Sequence, residues 1–180
     1  MIKRVKGLTL IELVVTLGLV TILSAIAIPS MQKFIASQQV SADLLKLKST
    51  IETARNQAIS QKVTIHICGI RKKVTLNPND TLDCISDWSK LMVVKTKGEK
   101  VEEILHYQLL EEDYKRVKWS AFQRKAYLEL TPYGFTNHQN GTLYLCHNHY
   151  SHLHRAVTIS KTGRVSINKD NRNIKTKCAS

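Results

Sequence analysis

The apolar run of this chain opens at Leu8, and from Leu13 to Ile28 no side chain carries a charge. As a helix Leu8–Ile28 is about 31 Å long, close to the roughly 30 Å hydrocarbon core of a bilayer. The run therefore predicts a membrane-spanning helix over about residues 8–28. Lys3, Arg4 and Lys6 precede it, so the positive-inside rule keeps the N-terminus cytoplasmic and sends the remainder across the membrane. A cleaved secretory signal is the competing reading, with Ser24-Ala25-Ile26-Ala27 as a passable small-x-small site. Glu12 argues against it. A carboxylate inside an apolar segment costs a few kcal/mol on insertion scales, so its presence calls for a partner.

Helical spacing continues beyond the span. Val40, Leu44, Leu47, Ile51, Ala54 and Ala58 recur at steps of four and three, with Lys46, Lys48, Glu52 and Arg55 between them. One helix is predicted from about Leu8 to about Gln61, bent at Pro29, which lacks an amide donor. From Val63 the pattern turns to short β-rich runs. Strands are predicted near Val63–Cys68, Lys73–Leu76, Leu91–Lys95, Ile104–Leu109, Val117–Ser120, Ala126–Leu130, Thr142–Cys146, Ala156–Ser160 and Arg164–Ile167. Turn residues at 77–80, Gly98, Thr131-Pro132, Asn140-Gly141 and Thr162-Gly163 separate them. The expectation is an α+β chain, with residues 8–60 a long helix and 61–180 an antiparallel β-sheet domain on which the helix's second half packs.

Four cysteines in a domain beyond the membrane predict disulfides. Three pairings are possible, and we favour Cys68–Cys84 with Cys146–Cys178 because each closes a local loop. Such loops contribute about 3–4 kcal/mol each in the chain-entropy account. No Cys-x-x-Cys spacing points to redox or zinc chemistry. His147, His149, His152 and His154 crowd one segment. A metal site competes there with a solvated loop between strands, and no carboxylate lies nearby in sequence to orient ligands. We assign no metal and no cofactor.

Lys and Arg total 27 against 14 Asp and Glu, a net charge of +13, and the excess is placed unevenly. Beyond residue 130, Arg155, Lys161, Arg164, Lys169, Arg172, Lys175 and Lys177 oppose only Asp170. Small and amide side chains separate these cations and no aromatic platform accompanies them, a composition suited to phosphate contact without base reading. A merely solvated basic tail fits the same composition. Arg71-Lys72-Lys73 and Lys115, Arg116 and Lys118 read as solvated hairpin faces, and Glu102-Glu103 and Glu111-Glu112-Asp113 as solvated turns or strand ends. No nucleophile elbow, phosphate loop or metal-hydrolase motif occurs, so no enzyme is predicted.

Gly7-Leu8-Thr9-Leu10-Ile11-Glu12-Leu13, the apolar helix and Pro29 together resemble the class III signal of type IV pilins and type II secretion pseudopilins. The resemblance implies that a prepilin peptidase removes residues 1–7 by cutting between Gly7 and Leu8, and methylates Leu8. Glu12 then becomes the fifth mature residue, an assembly carboxylate that meets the α-ammonium of a neighbouring subunit, and Pro29 becomes the kink. Pairing removes the cost of an unpartnered buried charge.

Ala54-Arg55-Asn56-Gln57-Ala58-Ile59 leading to Cys68, Cys84 and Trp88, Gly141-Thr142 running into Leu145-Cys146, and Thr162-Gly163-Arg164-Val165 narrow the resemblance to GspH/FimT-type minor pseudopilins. This branch implies a filament subunit anchored in the inner membrane, its C-terminal domain periplasmic and extracellular once in a pilus. It also implies double-stranded DNA as a partner in natural transformation, through a basic region around Gly-Arg-x-Arg. Here Gly163-Arg164-Val165 matches and Ser166 replaces the second arginine. The expected DNA contacts are Lys161, Arg164, Lys169, Arg172, Lys175 and Lys177. The alternative is a type II secretion pseudopilin with no DNA role.

Overall fold

A computed structural model describes residues 9–71, 83–97, 100–110, 113–169 and 172–179. The strand expected at Lys73–Leu76, the turns at 77–80 and Gly98, and Lys72, Lys73, Glu111, Glu112 and Asp170 lie outside them. The chain divides into two units, the second being Gln39–Ser180. Helix α1 spans Leu10–Gln61 and contributes to both.

In the first unit α1 carries no charge from Leu13 to Ile28, and Leu10, Ile11, Leu19, Ile26 and Phe34 are all exposed. Such a surface suits a hydrocarbon solvent, and the helix is long and apolar enough to cross a membrane. Thr9 caps it, its Oγ1 accepting the Glu12 N–H at 3.3 Å. Three hydroxyls of the span turn inward. Thr16 donates to the Leu13 carbonyl at 2.8 Å, Thr21 to Gly18 at 2.8 Å and Ser24 to Val20 at 2.7 Å. Pro29 lies inside α1, where its ring leaves the Ala25 carbonyl without the usual donor.

The second unit is built on the stripe of α1 that the periodicity marks. Val40, Leu44, Leu47, Ile51, Ala54 and Ala58 are each at most 4% exposed. Eight strands follow: β1 Thr64–Gly69, β2 Lys90–Lys97, β3 Lys100–Leu109, β4 Tyr114–Ala121, β5 Tyr127–Leu130, β6 Gly141–His147, β7 Arg155–Ile159 and β8 Val165–Asn168. They form two four-stranded sheets rather than one, ordered β3-β2-β1-β5 and β4-β6-β7-β8, with every pairing antiparallel. Alternation assigns the faces. Ile65, Ile67, Leu91, Val93, Leu128 and Leu130 bury one face of the first sheet, and Val117, Trp119, Leu143, Leu145, Val157 and Ile159 one face of the second. Glu102 and Glu103 lie inside β3 rather than at a turn, and Glu102 pairs with Lys95 of β2 at 3.3 Å.

Residues 85–89 stitch the sheets together. Ile85 bridges to Gly69 of β1 and Asp87 to Lys118 of β4, while Trp88 stacks on Trp119 with ring centres 4.7 Å apart. A Cβ on Gly69 would come within 1.9 Å of the Asp87 carbonyl oxygen, so only glycine permits this approach. Helix α2, Arg172–Ala179, closes the chain. Its apolar side chains Ile174 and Cys178 are one turn apart and pack on Cys146 and Ala156, on the outer face of the second sheet.

The stripe carries the stability of this unit. Leu47→Ala, at a residue with no exposure, should cost about 2–5 kcal/mol. Leu45→Ala, at 63% exposure on the same helix, should change it by no more than about 0.5 kcal/mol. Thermal unfolding followed by far-ultraviolet circular dichroism compares the two.

Candidate nucleic-acid interface

The turn that carries Arg164 is held from below. Gly163 sits at φ +73° between β7 and β8, and its N–H donates to the Ser160 carbonyl at 2.9 Å. A Cβ there would lie 2.5 Å from the Gly134 carbonyl oxygen and 2.8 Å from the Arg55 side chain. The glycine of the Gly-Arg pair is thus a packing requirement. Arg55 Nε donates to that same Gly134 carbonyl at 3.0 Å, joining α1 to the loop after β5. The Thr136 N–H of that loop donates to the Lys161 carbonyl at 3.0 Å.

Glu129 holds the loop's other end. It accepts from Asn137 Nδ2 at 2.9 Å and Gln139 Nε2 at 3.4 Å, and lies 3.6 Å from His66 Nε2. The neighbouring His66 foremost, with Asn137 and Gln139 assisting against desolvation, lowers its carboxyl below the usual value.

The structure does not gather the expected cations into one patch. Lys161 and Arg164 are exposed at one end of β8, and Lys169 is exposed just past the other. Arg164 lines a groove of about 450 Å³ with Arg55 and Glu52, so a carboxylate shares its site. Lys169 and Lys175 line a different cleft, of about 680 Å³, together with Arg155, His152 and His154. Lys177 is exposed two residues along α2 from Lys175, a spacing that turns the two side chains away from each other. Arg172 opens α2, and its side chain lies outside the described residues. Ser166 is exposed on the outer face of β8 opposite Thr158, whose carbonyl accepts its hydroxyl at 3.4 Å. Thr142 and Asn168 complete a small polar strip around Thr158.

Arg155 has a role that its charge alone does not disclose. Its Nη1 donates to the carbonyls of His152 and His154, each at 2.8 Å, which fixes the guanidinium against the cleft wall. The histidine segment is only in part the solvated loop expected of it, with His149 and His152 exposed and other residues tied down. His147 is 3% exposed at the end of β6, and its Nδ1 accepts the N–H groups of His149 at 3.0 Å and Tyr150 at 3.1 Å. His154 Nδ1 accepts the His147 N–H at 3.0 Å. Two rings are thereby committed to shaping the turn and the 3₁₀ segment Ser151–Leu153. Asp113, distant in sequence, comes within 3.3 Å of His149 Nε2. Among the described residues no group of three His, Cys, Asp or Glu is arranged to hold a metal.

Cys68 is bonded to Cys84 and Cys146 to Cys178, each pair with Cα atoms 5.4 Å apart. The second bond fastens α2 to β6 and so positions the cleft. Gly7 and Leu8 lie outside the described residues, whereas Glu12 stands in the first turn of α1.

The family model described as Type II transport protein GspH matches residues 45–163, and that of the prokaryotic N-terminal methylation motif matches residues 2–28. The chain belongs to the GspH family. Two crystal structures of the type IV minor pilin FimU from Pseudomonas aeruginosa share its fold. One is 17% identical, with a TM-score of 0.57 over 75% of this chain and 92% of that one. The other is 18% identical, with a TM-score of 0.52 over 71% of this chain and 91% of that one. A long apolar N-terminal helix followed by antiparallel sheets is the type IV pilin-like α+β fold, and the chain is a structural subunit of the minor pilin or pseudopilin class. Its family implies assembly with other pilins, and its methylation motif implies processing by prepilin peptidase.

Burial, then the neighbouring His147 and Arg155, lower the His154 pKa below its ordinary value. In the unfolded chain His154 therefore takes up a proton at a higher pH than in the folded one. Its contribution to stability is complete above the ordinary histidine value of 6.5, and declines as pH falls from there to the lower folded value. The denaturant midpoint should drop across that window, and His154→Gln should flatten the drop.

Proposed function

We propose that the chain is a filament subunit processed at Gly7–Leu8, anchored by about residues 8–28 in the inner membrane, and carrying a periplasmic domain that holds double-stranded DNA non-specifically for uptake in natural transformation. In an assembled pilus that domain is extracellular. The observation that carries the DNA reading is the charge around β8. Lys161 and Arg164 stand at one end, Lys169 at the other, and Lys175 and Lys177 on α2, which packs on β6 and β7, in a chain of net charge +13. Cations at both ends of one short strand suit separate phosphates along a backbone, and the hydroxyl and amide groups between them suit phosphate oxygens. Glu12 supports the assembly reading, because in an apolar medium its carboxylate gains most from the new α-ammonium of a neighbouring subunit. Pro29 supports a bend where the helix leaves the span.

A second reading, a type II secretion pseudopilin without DNA contact, is favoured by Ser166, which stands exposed where the second arginine of Gly-Arg-x-Arg belongs. A salt titration separates the two. For the full chain in non-ionic detergent, log K for duplex DNA should fall linearly with log[salt], with about 0.9 of slope per phosphate neutralised. Replacing Arg164, Lys169 and Arg172 together by Gln should flatten the slope by about 0.9 for each phosphate left without its cation, and Ser166→Arg should steepen it by a similar step. An unchanged slope in the triple variant moves the binding surface elsewhere, and no duplex binding at low salt leaves the structural role alone.

Processing has its own readout. Mass spectrometry of the membrane-extracted product should find a chain beginning at Leu8 with one added methyl group. A chain cut near Ala27, or one retaining residues 1–7, would overturn the filament assignment.

A further inference from the structure

The cleft beside α2 differs in kind from the groove at Arg164. Arg155 from β7, Lys169 from just past β8 and Lys175 from α2 converge on it from three separate elements. Among the described residues no carboxylate lines it, whereas Glu52 lines the groove at Arg164. Its floor is apolar, formed by Ile174 and by Cys178 of the disulfide to Cys146. His152 stands exposed at its wall with Tyr150 beside it, ring centres 5.7 Å apart. The volume of about 680 Å³ falls within the roughly 300–1,000 Å³ of small-molecule sites.

A flat phosphate-contact surface needs no depth and no apolar floor. A cavity that joins a greasy base, an imidazole face and three converging cations matches a ligand with a planar, weakly polar body and an anionic group attached. One nucleotide of a nucleic-acid strand has that chemistry, because its base stacks on side chains such as histidine while its phosphate meets the cations. Within a duplex the base is stacked and paired, so presenting it costs a few kcal/mol, and an unpaired strand or an end avoids most of that cost. Arg155, held by two backbone carbonyls, is already placed and loses little freedom on meeting a phosphate.

We infer that the cleft between the 3₁₀ segment Ser151–Leu153 and α2 is a binding site for a single unstacked nucleotide, so that the protein prefers single-stranded DNA and strand ends to uninterrupted duplex. This deepens the proposed DNA contact and rests on it. Duplex held along β8 would feed its end, or the strand released from it, into the cleft.

The test uses the full chain in non-ionic detergent, with fluorescence anisotropy against two probes at the same salt concentration. One is a short oligothymidylate, and the other a closed dumbbell duplex that has no end to offer. The oligothymidylate should bind about tenfold tighter, the scale of one stacked base. Ser151→Leu and Ala179→Leu, made singly and together at exposed positions on opposite walls, fill the cleft without changing charge. They should remove that preference while dumbbell binding stays as in the unsubstituted protein, which also reports that the variants are folded. Equal or tighter binding of the dumbbell by the unsubstituted chain would overturn the inference and leave the duplex contact standing. So would a single-strand preference that survives the double variant, or polyglutamate displacing oligothymidylate as readily as DNA does, which would reduce the cleft to a sink for negative charge. Failure of both DNA probes to bind would sink the proposed DNA function together with this inference.

Discussion

The second half of α1 cannot stand in water by itself, and the architecture of the Gln39–Ser180 unit follows from covering it. Six apolar side chains at helical spacing, none more than 4% exposed, demand a surface several strands wide. Two antiparallel sheets supply it, each with an alternating buried face. The dependence extends to residues far from the stripe. Arg55, one position past Ala54, leaves the buried face and reaches the Gly134 carbonyl, against which Gly163 rests with no room for a side chain. The geometry of the β7–β8 turn is thus set by the helix, and the position of Arg164 with it.

Charge alone does not describe the basic C-terminal region. Its cations are distributed by the fold over two unlike settings, a groove shared with Glu52 and a larger cleft with Ile174 and Cys178 in its lining. The Cys146–Cys178 bond makes the second setting possible. It joins the short α2 covalently to β6, beside the packing of Ile174 on the sheet. An isolated helix of this length is far below the length at which helices persist in water.

Much of this was legible in the amino-acid order because hydrophobic period is a direct imprint of burial. The stripe from Val40 to Ala58 and strands such as β1 and β6 announce themselves by spacing, and their observed ends differ from expectation by only a residue or two. Other features were hidden. The segment Arg172–Ala179 reads as polar, since among its described side chains only Ile174 and Cys178 are buried, and two positions make no visible period. Strands β3 and β4 start earlier than expected because their first residues, Lys100 and Tyr114, carry no run of β-branched neighbours and are ordered by pairing. Division into two sheets depends on which strands pair across long separations, such as β1 with β5, and alternation is silent on that. The histidine turn escaped for a further reason. Imidazoles that accept backbone N–H groups look, in a string of letters, the same as imidazoles free in solvent.

The inward-turned hydroxyls of Thr16, Thr21 and Ser24 have a consequence for how the N-terminal segment can travel. Each satisfies itself on its own backbone, so none needs to let go of an outside group when the surroundings change. Lipid tails and the apolar flanks of sister helices are then nearly interchangeable company for this rod, and passing from one to the other breaks none of these internal bonds. Direction has to come from somewhere else, and among the described residues of that segment before Pro29 Glu12 is the only charged side chain, the one that in the proposed assembly would tell the two apart.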